Sequence, residues 1–202
     1  MKEIFWEGTK MATEYELKYS ATPAILAAVE NAFPGAWEKV QMETTYYDTP
    51  DRALSALRYT LRKRLQNGIS VCTLKTPAGA ARGEWETECN SIEDAIGKLI
   101  SLGAPADLAE LTREGLVHTC GAKFTRLAKT VSIPGGSVEL ALDQGCLIGG
   151  GTTEPLCELE VELKTGTQEA CDAFAETLST RYALLPEQKS KFARALALHK
   201  GE

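Results

Sequence analysis

Ionic and apolar side chains alternate along several stretches of the chain. Glu14, Glu16 and Lys18 interleave with Tyr15, Leu17 and Tyr19. Successive residues of a strand point to opposite faces, so this segment predicts a strand with one charged and one apolar side. The same sorting recurs where Arg62 and Arg64 oppose Leu61 and Leu65, and where Thr73 and Lys75 oppose Cys72 and Leu74. It is strongest where Glu158, Glu160 and Glu162 oppose Cys157, Leu159, Val161 and Leu163. Arg82, Glu84, Glu86 and Glu88 keep the period with Trp85 as their one strongly apolar interleaver, which suits a strand near a rim.

Extending this reading predicts strands over 11–20, 43–48, 57–65, 69–76, 84–89, 116–119, 124–133, 138–143 and 156–164. Gln66-Asn67-Gly68 reads as a hairpin turn between two of them. Thr22-Pro23 is a cap followed by proline at the first helical position, predicting a helix over 24–33. Ser91 with Asp94 begins a second helix ending near Gly103, residues 105–114 a short third one closed by Gly115. Helical spacing of Ala170, Phe174 and Leu178 predicts a helix over 167–180, and a last one covers 190–199. Many antiparallel strands with a few helices make an α+β protein, or a barrel with helices outside. With no repeat and no low-complexity linker, the expectation is an N-terminal extension over 1–11 and a single domain over 12–200.

Composition narrows the possibilities. A length of 202 residues suffices for a core without staples, and 44% hydrophobic with 25% charged residues is ordinary for a globular protein. No stretch is apolar enough to span a bilayer, and the opening residues carry charges where a signal peptide has its apolar run, so a cytoplasmic protein is expected. The six cysteines are scattered without a C-x-x-C pair, as expected of reduced small hydrophobes. A net charge of −6 argues against a general nucleic-acid binder, which needs a broad basic surface. Neither a nucleic-acid nor a membrane partner is expected, and oligomeric state is not legible.

Taken one strand at a time, a charged face is an ordinary solvated sheet surface. Here, however, the polar positions are nearly all Glu, Lys or Arg, with little Ser, Gln or Asn. Three glutamates in one strand repel one another unless cations compensate. A sheet closed with this face inward would place acids able to hold hard divalent cations beside bases able to bind phosphate oxygens. A polyphosphate with its metal fits that inventory, whereas a lipid carrier would need an apolar cavity. Paired glutamates also suit glycoside hydrolysis, but a neutral sugar has no use for the accompanying Lys and Arg.

Glu14-Tyr15-Glu16-Leu17-Lys18 resembles the E-x-E-x-K signature of the CYTH family, the triphosphate tunnel metalloenzymes. The likeness continues through Tyr46-Tyr47-Asp48-Thr49, Leu61-Arg62-Lys63-Arg64, Thr73-Leu74-Lys75, Arg82-Gly83-Glu84-Trp85-Glu86, Phe124-Thr125-Arg126, Leu142-Asp143-Gln144-Gly145, Glu158-Leu159-Glu160-Val161-Glu162 and Ser190-Lys191-Phe192. The Arg82 to Glu86 and Leu142 to Gly145 segments are most like those of bacterial inorganic triphosphatase domains.

The resemblance implies a closed eight-stranded antiparallel β-barrel with helices packed outside, binding a small-molecule triphosphate with Mg2+ or Mn2+. It further implies that Glu14, Glu16, Asp143, Glu158, Glu160 and Glu162 hold metal, and that Lys18, Arg62, Arg64, Lys75, Arg126 and Lys191 bind phosphate oxygens. Lys75, Glu84 and Glu86 are the expected catalytic residues. The implied reaction is hydrolysis of inorganic tripolyphosphate to pyrophosphate and phosphate. Thiamine triphosphatase, class IV adenylate cyclase and a non-catalytic polyphosphate- or nucleotide-binding module are the alternatives. The cyclase reading is weakened because no histidine precedes Glu14.

Overall fold

In the computed structural model, which describes residues 15–78 and 81–200, four helices begin where a hydroxyl side chain can satisfy a first-turn N–H. Thr22 Oγ1 accepts from Ile25 N at 3.2 Å and starts α1 (Pro23–Ala32). Ser91 Oγ accepts from Asp94 N at 3.2 Å and starts α3 (Ile92–Ser101). Thr167 Oγ1 serves Ala170 N before α5 (Gln168–Tyr182), and Ser190 Oγ serves Ala193 N before α6 (Lys191–Lys200). The expected extension over 1–11 and Glu14 lie outside the described residues.

The strands are β1 (Glu16–Ser20), β2 (Glu38–Asp48), β3 (Thr60–Gln66), β4 (Ile69–Ala78), β5 (Ala81–Glu88), β6 (Val117–Ile133), β7 (Gly136–Gly149), β8 (Thr152–Thr165) and β9 (Leu185–Pro186). Asn67 and Gly68 both have positive φ, 50° and 89°, as a two-residue type I′ turn requires. Strand 57–65 is corrected: α2 (Ala53–Ala56) and a left-handed Arg58 precede β3. The cause is Asp48, whose buried carboxylate accepts from Thr49 N, Leu54 N, Ser55 N and Ser55 Oγ at 2.5–3.2 Å and winds the chain around itself. Residues 105–114 form only the single turn α4 (Leu108–Leu111). The two strands expected over 116–133 are one continuous β6, in which Gly121 pairs with Ile148 instead of breaking the strand.

The chain divides into two compact units. Among the described residues, one holds 45–64 and 68–119, and the other 15–44, 65–67 and 120–200. In the first, Leu61, Cys72 and Leu74 are buried with Ile92, Ala95, Ile96 and Leu99 of α3 and Leu108 of α4. In the second, Tyr19, Leu140, Leu142, Leu159 and Val161 are buried with Leu26 and Val29 of α1 and Cys171, Ala175 and Leu178 of α5. In each unit the helices thus cover the apolar faces that the alternation predicted. The six cysteines are free thiols.

The strands run in the hydrogen-bonded order β5-β4-β3-β2-β6-β7-β8-β1-β9. Among the described residues the sheet therefore has nine strands with edges at β5 and β9, not the closed eight-stranded barrel expected. The reason lies at β1, whose outer edge is taken by a segment the pattern did not reveal. Ser20 pairs with Leu185, Tyr19 with Pro186, and Glu187 N donates to Lys18 O at 2.8 Å. Two residues ending in a proline carry no ladder that another strand could extend.

Candidate functional site

Charged side chains gather into one cluster in each unit. In the second unit the antiparallel register does the sorting. Glu158 of β8 lies opposite Asp143 of β7, which lies opposite Arg126 of β6, while Lys18 of β1 lies opposite Glu160. Glu158 and Glu160 share a face because they are two residues apart. Asp143 and Glu158 are fully buried, and Glu160 nearly so.

The first residue of α6 completes this group. Lys191 Nζ lies 2.6 Å from Glu160 Oε1 and 2.9 Å from Asp143 Oδ2, and it also contacts Glu158 Oε2. Arg126 holds Asp143 through two hydrogen bonds of 2.7 Å and contacts Glu160 with the same Nη2. Arg194, one helical turn after Lys191, donates to Glu158 Oε1 at 2.6 Å and reaches Glu187 Oε2 at 3.3 Å. The seat of α6 depends on a bare backbone at Gly149, since a Cβ there would lie 2.1 Å from Ala195 O. Three buried carboxylates thus meet three cations, which is the condition for keeping such charges out of water, where each costs several kcal/mol.

The protonation equilibria follow from these contacts. Burial alone would raise the Glu160 carboxyl, but Lys191 and Arg126 outweigh it and hold the group well below the ordinary range. Burial likewise opposes charge on Lys191, and Asp143, Glu160 and Glu158 reverse that and raise it. Arg126 is raised for the same reason, chiefly by Asp143 once burial is overcome. Glu16 differs. It keeps solvent access, yet the surrounding protein and the neighbouring Glu160 push its carboxyl up to about 7. The Phe124 ring lies under both cations, 5.4 Å from Lys191 Nζ and 5.9 Å from Arg126 Cζ.

In the first unit, β4 and β5 pair Lys75 with Glu84 and Thr73 with Glu86. Lys75 Nζ binds Glu84 Oε2 at 2.5 Å, and Thr73 Oγ1 donates to Glu86 Oε2 at 3.0 Å. Arg62 stands apart. Its Nη2 comes no closer than 3.8 Å to Glu84 and 3.9 Å to Glu86, and its buried Nε has no hydrogen-bond partner among the described residues. A guanidinium that donates so little in a protein interior is primed for an oxyanion. Arg64 is half-buried on the same side of β3.

The predicted site residues therefore fall into distinct places. Asp143, Glu158, Glu160, Arg126 and Lys191 are in direct contact, with Glu16 and Lys18 on the adjoining strand. Lys18 donates to Lys189 O at 3.3 Å, and Glu162 pairs with Lys164 at 2.8 Å. Arg62, Lys75, Glu84 and Glu86 form the other cluster. Arg194 and Glu187 were missed. For Arg194 a signal existed in the i, i+3 spacing from Lys191 on a predicted helix, which puts both on one face.

Oxygen atoms of Asp143, Glu158 and Glu160 converge within 4.8 Å of one another. This all-carboxylate donor set suits a hard divalent cation, so the residues fit Mg2+ or Mn2+. Among the described residues no helix is long and apolar enough to cross a membrane.

Sheet, clusters and sequence together place the chain in one class: it belongs to the CYTH domain family, whose model matches residues 12–196. Among individual proteins, the chain is 28% identical over 203 residues to an inorganic triphosphatase of Haemophilus influenzae. That match covers 93% of this chain but 55% of the relative, so the chain spans about half the length of the curated relative. A Pyrococcus horikoshii structure superposes with a TM-score of 0.60 at 25% identity, covering 93% of this chain and 99% of that one. A Hippeastrum protein, described as a candidate adenylyl cyclase with a dominant triphosphatase activity, gives 0.61 at 18% identity over 93% and 95% of the two chains, a likeness of fold alone.

Proposed function

We propose that this protein is a divalent-metal-dependent triphosphatase that hydrolyses inorganic tripolyphosphate to pyrophosphate and phosphate. The observation that carries the reading is the burial of Asp143, Glu158 and Glu160 against Lys191, Arg126 and Arg194. A concentration of buried charge on this scale contributes little net stability, because desolvation offsets most of the attraction. It is the arrangement expected where hard cations and phosphoryl oxygens are handled. The curated relative is named an inorganic triphosphatase, which favours tripolyphosphate over thiamine triphosphate or ATP.

Phosphoryl transfer asks a protein for positioning and charge neutralisation more than for covalent chemistry. A bound Mg2+ or Mn2+ would polarise phosphate oxygens and neutralise their charge. Asp143, Glu158 and Glu160 supply its oxygen ligands, joined on this reading by Glu14, Glu16 and Glu162. Lys18, Arg62, Arg64, Arg126 and Lys191 bind phosphate oxygens. Lys75 steadies charge on the leaving phosphate, while Glu84 and Glu86 orient the attacking water. Residues 12–200 form one catalytic domain on this reading, acting in the cytoplasm.

The test is phosphate release from tripolyphosphate, thiamine triphosphate and ATP, each with Mg2+ and with Mn2+. Release chiefly from tripolyphosphate is expected. Pyrophosphate and cyclic AMP from ATP alone would replace the triphosphatase by a cyclase, and no release from any substrate would leave a binding module.

A further inference from the structure

The carboxylate group that suits a divalent cation already holds a cation belonging to the chain. Lys191 Nζ contacts Asp143, Glu158 and Glu160 together, with its own exposure reduced to 9%. An ammonium has three N–H donors, and here it donates to Glu160 and sits in ion-pair contact with Asp143 and with Glu158, whose Oε2 is otherwise without a hydrogen-bond partner among the described residues. A metal would need lone pairs on those same oxygens. It would also draw them inward, because the 2.6 and 2.9 Å ammonium contacts exceed the roughly 2.1 Å of a Mg–O bond.

We propose that Lys191 is a tethered counter-cation that competes with the divalent metal for the Asp143–Glu158–Glu160 group, so that metal entry expels its ammonium from the carboxylates. The inference rests on the metal-dependent reading above and adds an order of events to it. The ammonium leaves with its proton, so no bond is made or broken and no proton moves. Two features make Lys191 the member that exits. Arg126 is fixed on Asp143 by a two-point fork, and Arg194 is anchored at a second acid, Glu187. Lys191 has a flexible four-carbon stem and, among the described residues, no anionic contact besides these three carboxylates. Once expelled, its charge is free for phosphate oxygens, so metal binding and the readiness of Lys191 for substrate become one step.

The competition is read without substrate. Calorimetric titration of Mn2+ into the full chain and into Lys191→Met should give binding at least about tenfold tighter in the variant. Glu160→Gln should weaken binding in either background. Since Lys191→Met removes a buried charge and can impair folding, a second measurement uses the unaltered chain. The 1H–15N resonance of the Lys191 ammonium, identified by its loss in Lys191→Arg, should shift or vanish as Mg2+ saturates, and should stay in place with KCl at equal ionic strength. Equal or weaker Mn2+ binding by a folded Lys191→Met overturns the competition. So does an ammonium signal that Mg2+ leaves unmoved. In both cases, if Glu160→Gln still weakens metal binding in the background that keeps Lys191, the metal-dependent reading survives alone. Absence of Mn2+ binding to the unaltered chain and to Lys191→Met overturns both.

Discussion

Replacing Arg194 by methionine keeps most of the aliphatic bulk of the side chain and removes its guanidinium from Glu158. Glu158 is fully buried and Arg194 is 14% exposed, so water cannot replace the lost donor. Removing one partner of a buried pair costs roughly 3–5 kcal/mol, and because Lys191 stays on Glu158 the cost here should fall at or just below the bottom of that range, about 2–3 kcal/mol. At about 2–4 °C per kcal/mol for a chain of this size, Tm should fall by roughly 5–10 °C in metal-free buffer, followed by circular dichroism. Glu187→Gln tests the other contact of Arg194, a 3.3 Å pair with a partly exposed acid, and should cost no more than about 1 kcal/mol. The double variant Arg194→Met/Glu158→Gln should destabilise less than the sum of its singles by at least about 1 kcal/mol, since the penalty of the first arises from the charge removed by the second. Additive effects, or a larger loss from Glu187→Gln than from Arg194→Met, would refute the claim that Arg194 serves to neutralise Glu158.

Three further outcomes follow from other parts of the molecule. Arg62→Met removes a buried donor that has no partner among the described residues and leaves Glu84 with Lys75, so stability should change by no more than about 1 kcal/mol, while phosphate release falls by about 100-fold or more; a large loss of stability with activity retained would assign Arg62 to the scaffold. Gly149→Ala places a methyl 2.1 Å from Ala195 O and should destabilise by about 1–3 kcal/mol by pushing α6 away, with heightened amide hydrogen exchange along α6 as the readout. The Tyr15 hydroxyl donates to Asp172 at 2.5 Å, and this bond, with burial, raises Tyr15 to about 12. A raised phenol stabilises the fold below its unfolded value near 10 and loses that contribution as pH rises towards 12, so Tyr15→Phe should be less stable than the unaltered chain up to about pH 10, the gap should close between pH 10 and 12, and absorbance titration of the variant should lack one late-ionising tyrosine that the unaltered chain shows.

What could be read from the order of residues was local. Thr22, Ser91 and the Asn67-Gly68 pair announced their cap and turn because each acts within three or four positions, and β8 announced two faces because period two survives whatever strand lies beside it. The family resemblance picked out Asp143, Glu158, Glu160 and Lys191 without placing them against one another. Where the chain's pattern had no local expression, expectation failed: α2 is wound by the carboxylate of Asp48 reaching six and seven residues ahead, and β9 is a two-residue strand with no periodicity to detect.

Sequence alone determined that this protein would make two-faced strands with acids and bases concentrated on one side, since backbone geometry and hydrophobic burial fix that from neighbours. Tertiary structure decided which charges meet. Lys191 stands 31 residues from Glu160 and 48 from Asp143, and only the register of β7 and β8 and the seat of α6 over Gly149 bring its ammonium among the three carboxylates. The edge of the sheet was decided the same way, by backbone donors and acceptors that every residue carries alike and whose pairing no side-chain pattern records.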